Sequence, residues 1–226
     1  MELHIVSTGS KGNCAVLKHD GRMLMLDCGV PAQAIYRAVN FNMAALDACL
    51  VGHEHADHAK SLSFLQSQYV RIGIPESGKA QRFRDWGVMP FSLEHDTANV
   101  GYIIQHRQLL DDKLCYISDT GYVRYSPAGI SHMLIECSYI DRLLDANKDA
   151  LDERYLRMKR SHMSLERVVS YLSKIDRSQL KTVVLLHLSA ANSDASEMVD
   201  AVSSATGVRV YAAENGMTID LSDCPF

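Results

Sequence analysis

The chain has 226 residues, of which 47% are hydrophobic and 22% are charged, and its formal net charge is −4. These values are ordinary for a globular protein and exclude a disordered or fibrous chain. The acidic balance excludes a surface that is basic all over, so any nucleic-acid partner would need a local basic patch. No apolar run reaches the ~18 residues that a membrane span requires, so no membrane-spanning segment is expected.

Short apolar runs bounded by turn residues predict strands in the first third of the chain, and helices alternate with strands in the last third. In chain order the predicted elements are strands 3–6, 14–17 and 23–27, helix 31–39, strand 48–52, helix 57–68, strand 70–73, helix 75–84, strands 88–93, 100–105, 114–118 and 132–137, helices 140–159 and 164–174, strand 182–187, helix 194–205 and strand 208–211. No repeat or linker rich in Pro, Gly and Ser interrupts this order. The sequence therefore predicts one compact domain, residues 1–226, with layered helices and sheets.

The six cysteines occur singly and include no Cys-x-x-Cys pair, which predicts reduced thiols rather than disulfides or a zinc finger. The opening residues are typical of a strand and not of a secretory signal. Together these features predict a cytoplasmic protein.

Three histidines and two carboxylates follow the strand predicted at 48–52: His53, Glu54, His55, Asp57 and His58. Residues two apart point to the same side of an extended segment but to opposite sides of a helix, so His53 and His55 are predicted to share a metal ion from a strand end or loop. Asp57 and His58 are displaced towards a second ion. The helical His-Glu-x-x-His zinc motif is excluded because Asp57 stands where its second histidine would be.

Three further candidate ligands follow predicted strands. His95 comes after strand 88–93, Asp119 after strand 114–118, and His187 ends strand 182–187. Active-site residues of layered α/β proteins gather at such strand ends, so these side chains are expected to meet the first cluster. Imidazole and carboxylate donors without thiolate favour zinc or manganese.

The order of these motifs resembles the metallo-β-lactamase superfamily along nearly the whole chain. The motifs are His53-x-His55-x-Asp57-His58, His95 with Gly101-Tyr102, Ser118-Asp119-Thr120 and Leu186-His187-Leu188-Ser189. Within that superfamily, residues 7–13, Leu26-Asp27-Cys28-Gly29 and His187-Leu188-Ser189 are similar to the YycJ (WalJ, VicX) group of DNA exonucleases. Ser161-His162-Met163-Ser164, which precedes an apolar helix, is also similar to RNase Z.

The resemblance implies an α/β fold of the metallo-β-lactamase type, an αββα four-layer sandwich of two mixed β-sheets flanked by helices. It also implies two divalent metal ions, zinc or manganese. The implied ligands are His53, His55 and His95 for the first ion, Asp57, His58 and His187 for the second, and Asp119 as a bridge between them. The catalytic residues implied are Asp57, His162 as the proton donor to the leaving oxygen, and Glu136 as the partner of His162.

The implied activity is hydrolysis of phosphodiester bonds by hydroxide formed at the two metals, with a YycJ-like DNA exonuclease as the leading interpretation. The substrate would be a nucleic acid or a nucleotide. Two alternatives stay open: a phosphodiesterase acting on small substrates such as cyclic nucleotides, and a thioester or lactone hydrolase on the same metal pair. Transfer-RNA maturation is not expected, because the chain lacks a long insertion resembling the RNase Z arm. Pairing into a homodimer is left open.

Other features allow two interpretations each. The basic cluster Arg154, Arg157, Lys159 and Arg160 is either a solvated helix face or a contact for a nucleic-acid backbone. Residues 7–13 form either a plain turn or a loop whose amides lie near a substrate phosphate, and Asp27 either ends a turn or orients a ligand histidine. The sequence pattern does not indicate an aromatic platform for single-stranded nucleic acid.

Overall fold

The computed structural model describes residues 1–147 and 153–222, and within them the chain forms two mixed β-sheets with helices on the outer face of each. The strands are β1 (Glu2–Ser7), β2 (Cys14–His19), β3 (Arg22–Leu26), β4 (Leu46–Leu50), β5 (Arg71–Ile72), β6 (Gln81–Phe83), β7 (Trp86–Leu93), β8 (Asn99–His106), β9 (Lys113–Ile117), β10 (His132–Glu136), β11 (Thr182–Leu186), β12 (Arg209–Ala212) and β13 (Thr218–Asp220). The helices are α1 (Ala32–Ala38), α2 (Ala56–Ala59), α3 (Leu62–Ser67), α4 (Asp141–Ala146), α5 (Glu153–Ser161), α6 (Leu165–Lys174) and α7 (Ala195–Thr206), with a 3-10 turn at Met43–Ala45.

Each sheet joins an antiparallel part to a parallel part. The first has the order β13-β1-β2-β3-β4-β5, in which β3, β4 and β5 are parallel. The second has the order β12-β11-β10-β9-β8-β7-β6, in which β9 to β12 are parallel. Parallel neighbours need a crossover connection, so the helices lie between parallel strands along the chain and cover the outer faces.

Alternating side chains along the strands separate three apolar layers. The layer between the sheets contains Leu17 and Leu50 of the first sheet packed with Tyr102 and Val184 of the second. The outer layers lie under the helices: Met25 and Cys49 pack with Ile35 and Leu65 on one side, and Ile135 and Leu185 pack with Val168 and Met198 on the other. The arrangement is helix, sheet, sheet, helix, which confirms the four-layer αββα prediction.

Local sequence signals account for most element boundaries. Every predicted strand is present with ends within two residues of the prediction. The predicted helix 164–174 begins where the Ser164 hydroxyl accepts from the backbone N–H of Arg167, and helix 194–205 begins where the Asp194 carboxylate accepts from that of Glu197. Gly207, with φ of 74°, ends the latter helix in the left-handed conformation that glycine adopts without strain.

Two predicted helices are divided in the structure. Helix 57–68 consists of α2 and α3, because Ser61 donates its backbone N–H to the carbonyl of Cys28 and its hydroxyl to the carbonyl of Val30. These bonds tie the chain to the loop after β3 at that point. The predicted helix 140–159 consists of α4 and α5, and residues 148–152 between them lie outside the described part of the chain.

The prediction of a helix at 75–84 is wrong. Gly78 has φ of 79°, and the Gln81 side chain bonds both backbone groups of Ile74, so the segment turns instead of continuing as a helix. Residues 81–83 then pair antiparallel with the start of β7, in the register Gln81↔Val88 and Phe83↔Trp86. Burial of Phe83 and Trp86 between the sheets outweighs the local helix propensity.

The sequence also missed the edge strand β13, which pairs with β1 through Leu3↔Ile219. Five cysteines lie among the described residues, and all are buried and free; Cys224 lies outside them. Among the described residues, none of the helices combines the length and the apolar character that a membrane crossing needs.

Gly101 in β8 provides a test of the packing against the neighbouring strands. A Cβ there would lie 2.5 Å from the Phe91 ring and 2.7 Å from the backbone oxygen of Tyr116, which cannot move aside. We expect Gly101→Ala to lower the free energy of unfolding by about 1–3 kcal/mol, the usual cost of overpacking. Urea denaturation measures this change.

Gly87→Ala in the paired strand β7 is the matched control, because its Cβ would meet nothing closer than 3.7 Å. Equal losses of stability in the two variants would contradict the steric explanation.

Candidate metal centre

The candidate ligands lie where strands of both sheets end. His53 follows β4 of the first sheet, while His95, Asp119 and His187 follow β7, β9 and β11 of the second. Since β9, β10 and β11 are parallel, their carboxyl ends meet at one edge. Three residues at these ends are held in the left-handed region that non-glycine residues seldom adopt: Asp27 (φ 57°), Asp119 (φ 46°) and His187 (φ 61°).

The first donor group consists of His53, His55 and His95. Nε2 of His53 lies 3.0 Å from Nδ1 of His55, and Nε2 of His95 lies 3.3 Å from the same atom. Burial, helped by the charge of His58, lowers the pKa of His53 to about 4, and burial also lowers the pKa of His95. Neutral imidazoles present lone pairs, and lone pairs that converge at these distances are stabilised by a cation between them.

The second donor group consists of Asp57, His58, Asp119 and His187, with one donor atom of each within 4.8 Å of the others. Nε2 of His58 lies 3.2 Å from a carboxylate oxygen of Asp119 and 3.7 Å from one of Asp57. Burial acts to raise the pKa of Asp119, but the charges of His187 and His58 hold it well below its usual range. The carboxylate is therefore ionised and able to bind a cation.

Asp119 lies between the two groups. One of its oxygens is 4.0 Å from Nε2 of His53, and the other is 3.8 Å from Nε2 of His187. Nε2 of His187 is buried without a hydrogen-bond partner. A ring nitrogen left unpaired beside carboxylates fits a metal ion as its missing partner, so the two groups suggest a site for a pair of metal ions.

Three polar groups orient imidazole rings by contacting Nδ1, the ring nitrogen that faces away from the centre. Nδ1 of His58 lies 2.7 Å from the Asp27 carboxylate, Nδ1 of His95 lies 3.1 Å from the carbonyl of Ser161, and Nδ1 of His187 lies 3.0 Å from the Ser138 hydroxyl. A carbonyl or carboxylate accepts only, so Nδ1 of His58 and of His95 carries a proton and Nε2 is the nitrogen that faces the centre. Of the two interpretations of Asp27, the structure favours the one in which it orients a histidine.

His162 and Glu136 adjoin the second donor group. Glu136 is fully buried, accepts the backbone N–H of Thr120 at 2.7 Å, and accepts from Nδ1 of His162. The His162 ring stacks on His187 with centroids 5.2 Å apart. Burial acts to lower the pKa of His162, but the charge and the hydrogen bond of Glu136 raise it to about 9. This imidazole is therefore protonated at neutral pH.

Sequence reasoning missed two polar neighbours of the centre. The Asn13 amide lies 2.9 Å from Nε2 of His58, and the Asp96 carboxylate lies 3.1 Å from Nε2 of His95 and 3.4 Å from Nε2 of His55. Asn13 ends the segment 7–13, whose Thr8 hydroxyl also accepts the backbone N–H of His187. Segment 7–13 therefore contacts the centre through side chains. Asp96 directly follows His95, and this adjacency is the sequence signal that could have indicated its place beside the centre.

Known proteins resemble this chain at several levels. The family model described as Anti-Pycsar protein Apyc1 matches residues 6–72. Exodeoxyribonuclease WalJ of Streptococcus pneumoniae is 27% identical over 223 residues, which cover 83% of this chain and 81% of the relative. Exodeoxyribonuclease YycJ of Bacillus anthracis is 25% identical over 225 residues, which cover 85% and 84%.

Among solved structures, the metallo-β-lactamase fold protein YhfI from Bacillus subtilis superposes with a TM-score of 0.73 at 12% identity. The superposition covers 97% of this chain and 99% of YhfI. The described chain therefore has the metallo-β-lactamase fold, and its sequence is YycJ-like.

Asp27→Asn tests the orienting role of the buried carboxylate. Asparagine tolerates the positive φ of this position, so the backbone should be retained. Because the charge that fixes the His58 ring is lost, we expect affinity for a divalent cation to fall about 10- to 100-fold. Competition between the protein and a chelator for zinc measures this affinity.

The matched control is Asp20→Asn, the same change at an exposed aspartate that also has positive φ, 47°. Unaltered zinc affinity in Asp27→Asn, or an equal loss in both variants, would refute the orienting role.

Proposed function

We propose that this YycJ-like protein with the metallo-β-lactamase fold is a metal-dependent hydrolase that cleaves phosphodiester bonds in nucleic acid, of the DNA exonuclease type. The observation that carries the proposal is the juxtaposition of two donor groups with an imidazole bonded to a buried carboxylate: His162, bonded to Glu136, stacks on His187. The likeness to WalJ and YycJ over more than four-fifths of the chain supports the same activity.

In the proposed site, His53, His55 and His95 would hold one ion, Asp57, His58 and His187 would hold the other, and Asp119 would contribute to both. Zinc is favoured and manganese is the alternative, because the donors are imidazole and carboxylate without thiolate. When bound, two divalent ions activate water and neutralise charge on the phosphoryl oxygens. Asp57 is half-buried. Its proposed catalytic role is that of an ionised carboxylate beside the second ion.

His162 is proposed to protonate the departing oxygen of the substrate. Its Nδ1 is engaged by Glu136, so Nε2 is the nitrogen available for proton transfer. Glu136 is itself fixed by the Thr120 amide, which keeps the imidazole in one orientation. A departing alkoxide is strongly basic and needs such an acid, whereas a thiolate leaves without one, so the pair favours phosphodiesters over thioesters.

Two variants separate binding of metal from proton transfer. Asp119→Ala should abolish turnover together with bound metal, because the carboxylate contacts both donor groups. His162→Ala should slow turnover by about 10²- to 10⁴-fold, the usual contribution of a general acid, and leave metal content intact. Hydrolysis of an oligodeoxynucleotide, whose departing oxygen is a strongly basic alkoxide, and metal analysis of the purified protein give the two readouts.

His4→Ala on β1, whose Nδ1 lies 3.0 Å from the hydroxyl of Thr218, is the control for histidine loss and should change neither readout. Loss of metal from His162→Ala would overturn the division of roles.

A substrate panel tests the reaction class. With zinc or manganese, the protein is expected to cleave bis(p-nitrophenyl) phosphate and to release nucleotides from DNA. Cyclic nucleotides cleaved without any DNA or RNA product would instead establish the small-substrate alternative, and thioester hydrolysis without any diester cleavage would reject the phosphodiesterase proposal.

A further inference from the structure

The loop at residues 121–126, named here the tyrosine loop, lies beside the metal centre and carries exposed rings and a cation. It follows Asp119 and Thr120, and it reads Gly-Tyr-Val-Arg-Tyr-Ser. Tyr122 is 57% exposed and Tyr125 is 43% exposed. The Arg124 side chain is 80% exposed and is ion-paired with Glu94 at the rim of the loop. Tyr122 is three residues from Asp119, so its Cα lies within roughly 11 Å of that of the proposed bridging carboxylate.

The tyrosine loop is fixed at both ends. The backbone N–H of Gly121 donates to the carbonyl of Glu94, the residue before His95, at 3.0 Å. Gly121 also packs so closely on the end of α5 that a Cβ would lie 1.9 Å from the Arg160 oxygen. At the other end, the Tyr171 hydroxyl of α6 donates to the carbonyl of Tyr125 at 3.1 Å. The exposed rings are therefore held in place relative to the candidate ligands.

Clefts border the tyrosine loop on both sides. One, of about 630 Å³, is walled by Met89 and Phe91 together with the two tyrosines. The other, of about 750 Å³, contains two acidic residues, Glu94 and Glu166, against five basic ones. The basic residues are Arg124, Lys159, Arg160, Arg167 and Lys174. Arg124 is ion-paired with Glu94 and Lys159 with Asp145, which leaves Arg160, Arg167 and Lys174 against Glu166. This local positive charge stands against a net charge of −4 for the chain and complements a polyanion.

We infer that the tyrosine loop binds the unpaired nucleotides of the substrate strand next to the scissile phosphate, with Tyr122 and Tyr125 stacking on bases and Arg124 contacting a phosphate. Rings interleaved with cations are the means by which proteins hold single strands, because every base has a face to stack. In a duplex those faces are covered, so the rings require unpaired bases. The inference rests on the proposed function and specifies the form of substrate that the site takes.

The test measures binding of a fluorescein-labelled, phosphorothioate-linked oligothymidylate by anisotropy, alongside hydrolysis of bis(p-nitrophenyl) phosphate. Tyr122→Ala is expected to weaken binding roughly 5- to 100-fold, whereas Tyr122→Phe keeps the affinity because the ring is retained. Arg124→Ala should reduce the slope of log K against log salt by about 0.7, the value for one single-strand phosphate contact. Hydrolysis of the small diester should be unchanged in all three variants.

Tyr69→Ala is the matched control, since Tyr69 is 95% exposed and follows α3 in the opposite layer of the sandwich. Tyr125 is changed to Phe and not to Ala, because its ring also packs on Phe91 and removal of the ring would disturb the loop. Affinity in Tyr122→Ala equal to that of the Tyr69→Ala control would overturn the inference. The inference would also be overturned if Tyr122→Ala weakened binding of a blunt duplex as much as binding of the oligothymidylate. Loss of both strand binding and small-diester hydrolysis in Tyr122→Ala would overturn it as well.

The outcomes also separate this inference from the proposed function. If binding of the oligothymidylate depends on Tyr122 but the protein hydrolyses no diester, the proposed activity is refuted and the binding surface is upheld. If the protein hydrolyses the small diester but strand binding does not depend on Tyr122, the binding surface is refuted and the proposed activity is upheld.

Discussion

A buried carboxylate, Asp27, joins the two sheets beneath the candidate metal centre. It comes directly after β3 of the first sheet and accepts hydrogen bonds from the Tyr116 hydroxyl of the second sheet, from Nδ1 of His58 and from the backbone of Gly52. A carboxylate without exposure to water is costly unless it is paired, and here three donors compensate for its burial. The same bonds fix the mutual position of the sheets and the direction of the His58 ring, so fold and site share one constraint.

The two donor groups have different electrostatics. Burial keeps His53 and His95 neutral, while Asp27 and Asp119 raise the pKa of His58 against the opposing effect of its own burial. Without cations, the second group is a compact set of ion pairs in which each charge depends on its neighbours. A bound metal ion would replace the proton as the partner of the carboxylates.

The surroundings of the centre are asymmetric. On one side the segment 7–13 contacts the second donor group through Asn13. On the other side the tyrosine loop and the end of α5 enclose His95, where Arg157 is bonded to Asp96 and Lys159 to Asp145. Part of the basic cluster, for which the sequence allows either a solvated helix face or a nucleic-acid contact, is thus engaged in ion pairs. Arg124, on a separate loop, is likewise ion-paired, with Glu94, although its side chain is 80% exposed.

The sequence by itself determined the strand pattern and the candidate ligands, and its resemblance to the metallo-β-lactamase superfamily implied the four-layer class. Short apolar runs bounded by turn residues mark the buried strands. The extended spacing of His53 and His55 already requires that their side chains share one side. It could not determine what surrounds those ligands. The helix predicted at 75–84 became the β6 strand because Phe83 and Trp86 are buried between the sheets. Asp27 meets Tyr116, and Arg160 meets Gly121, only because distant segments are folded together. Local spacing carries no information about such contacts, so the tertiary structure alone decided how the ligands are oriented and which loop lies beside them.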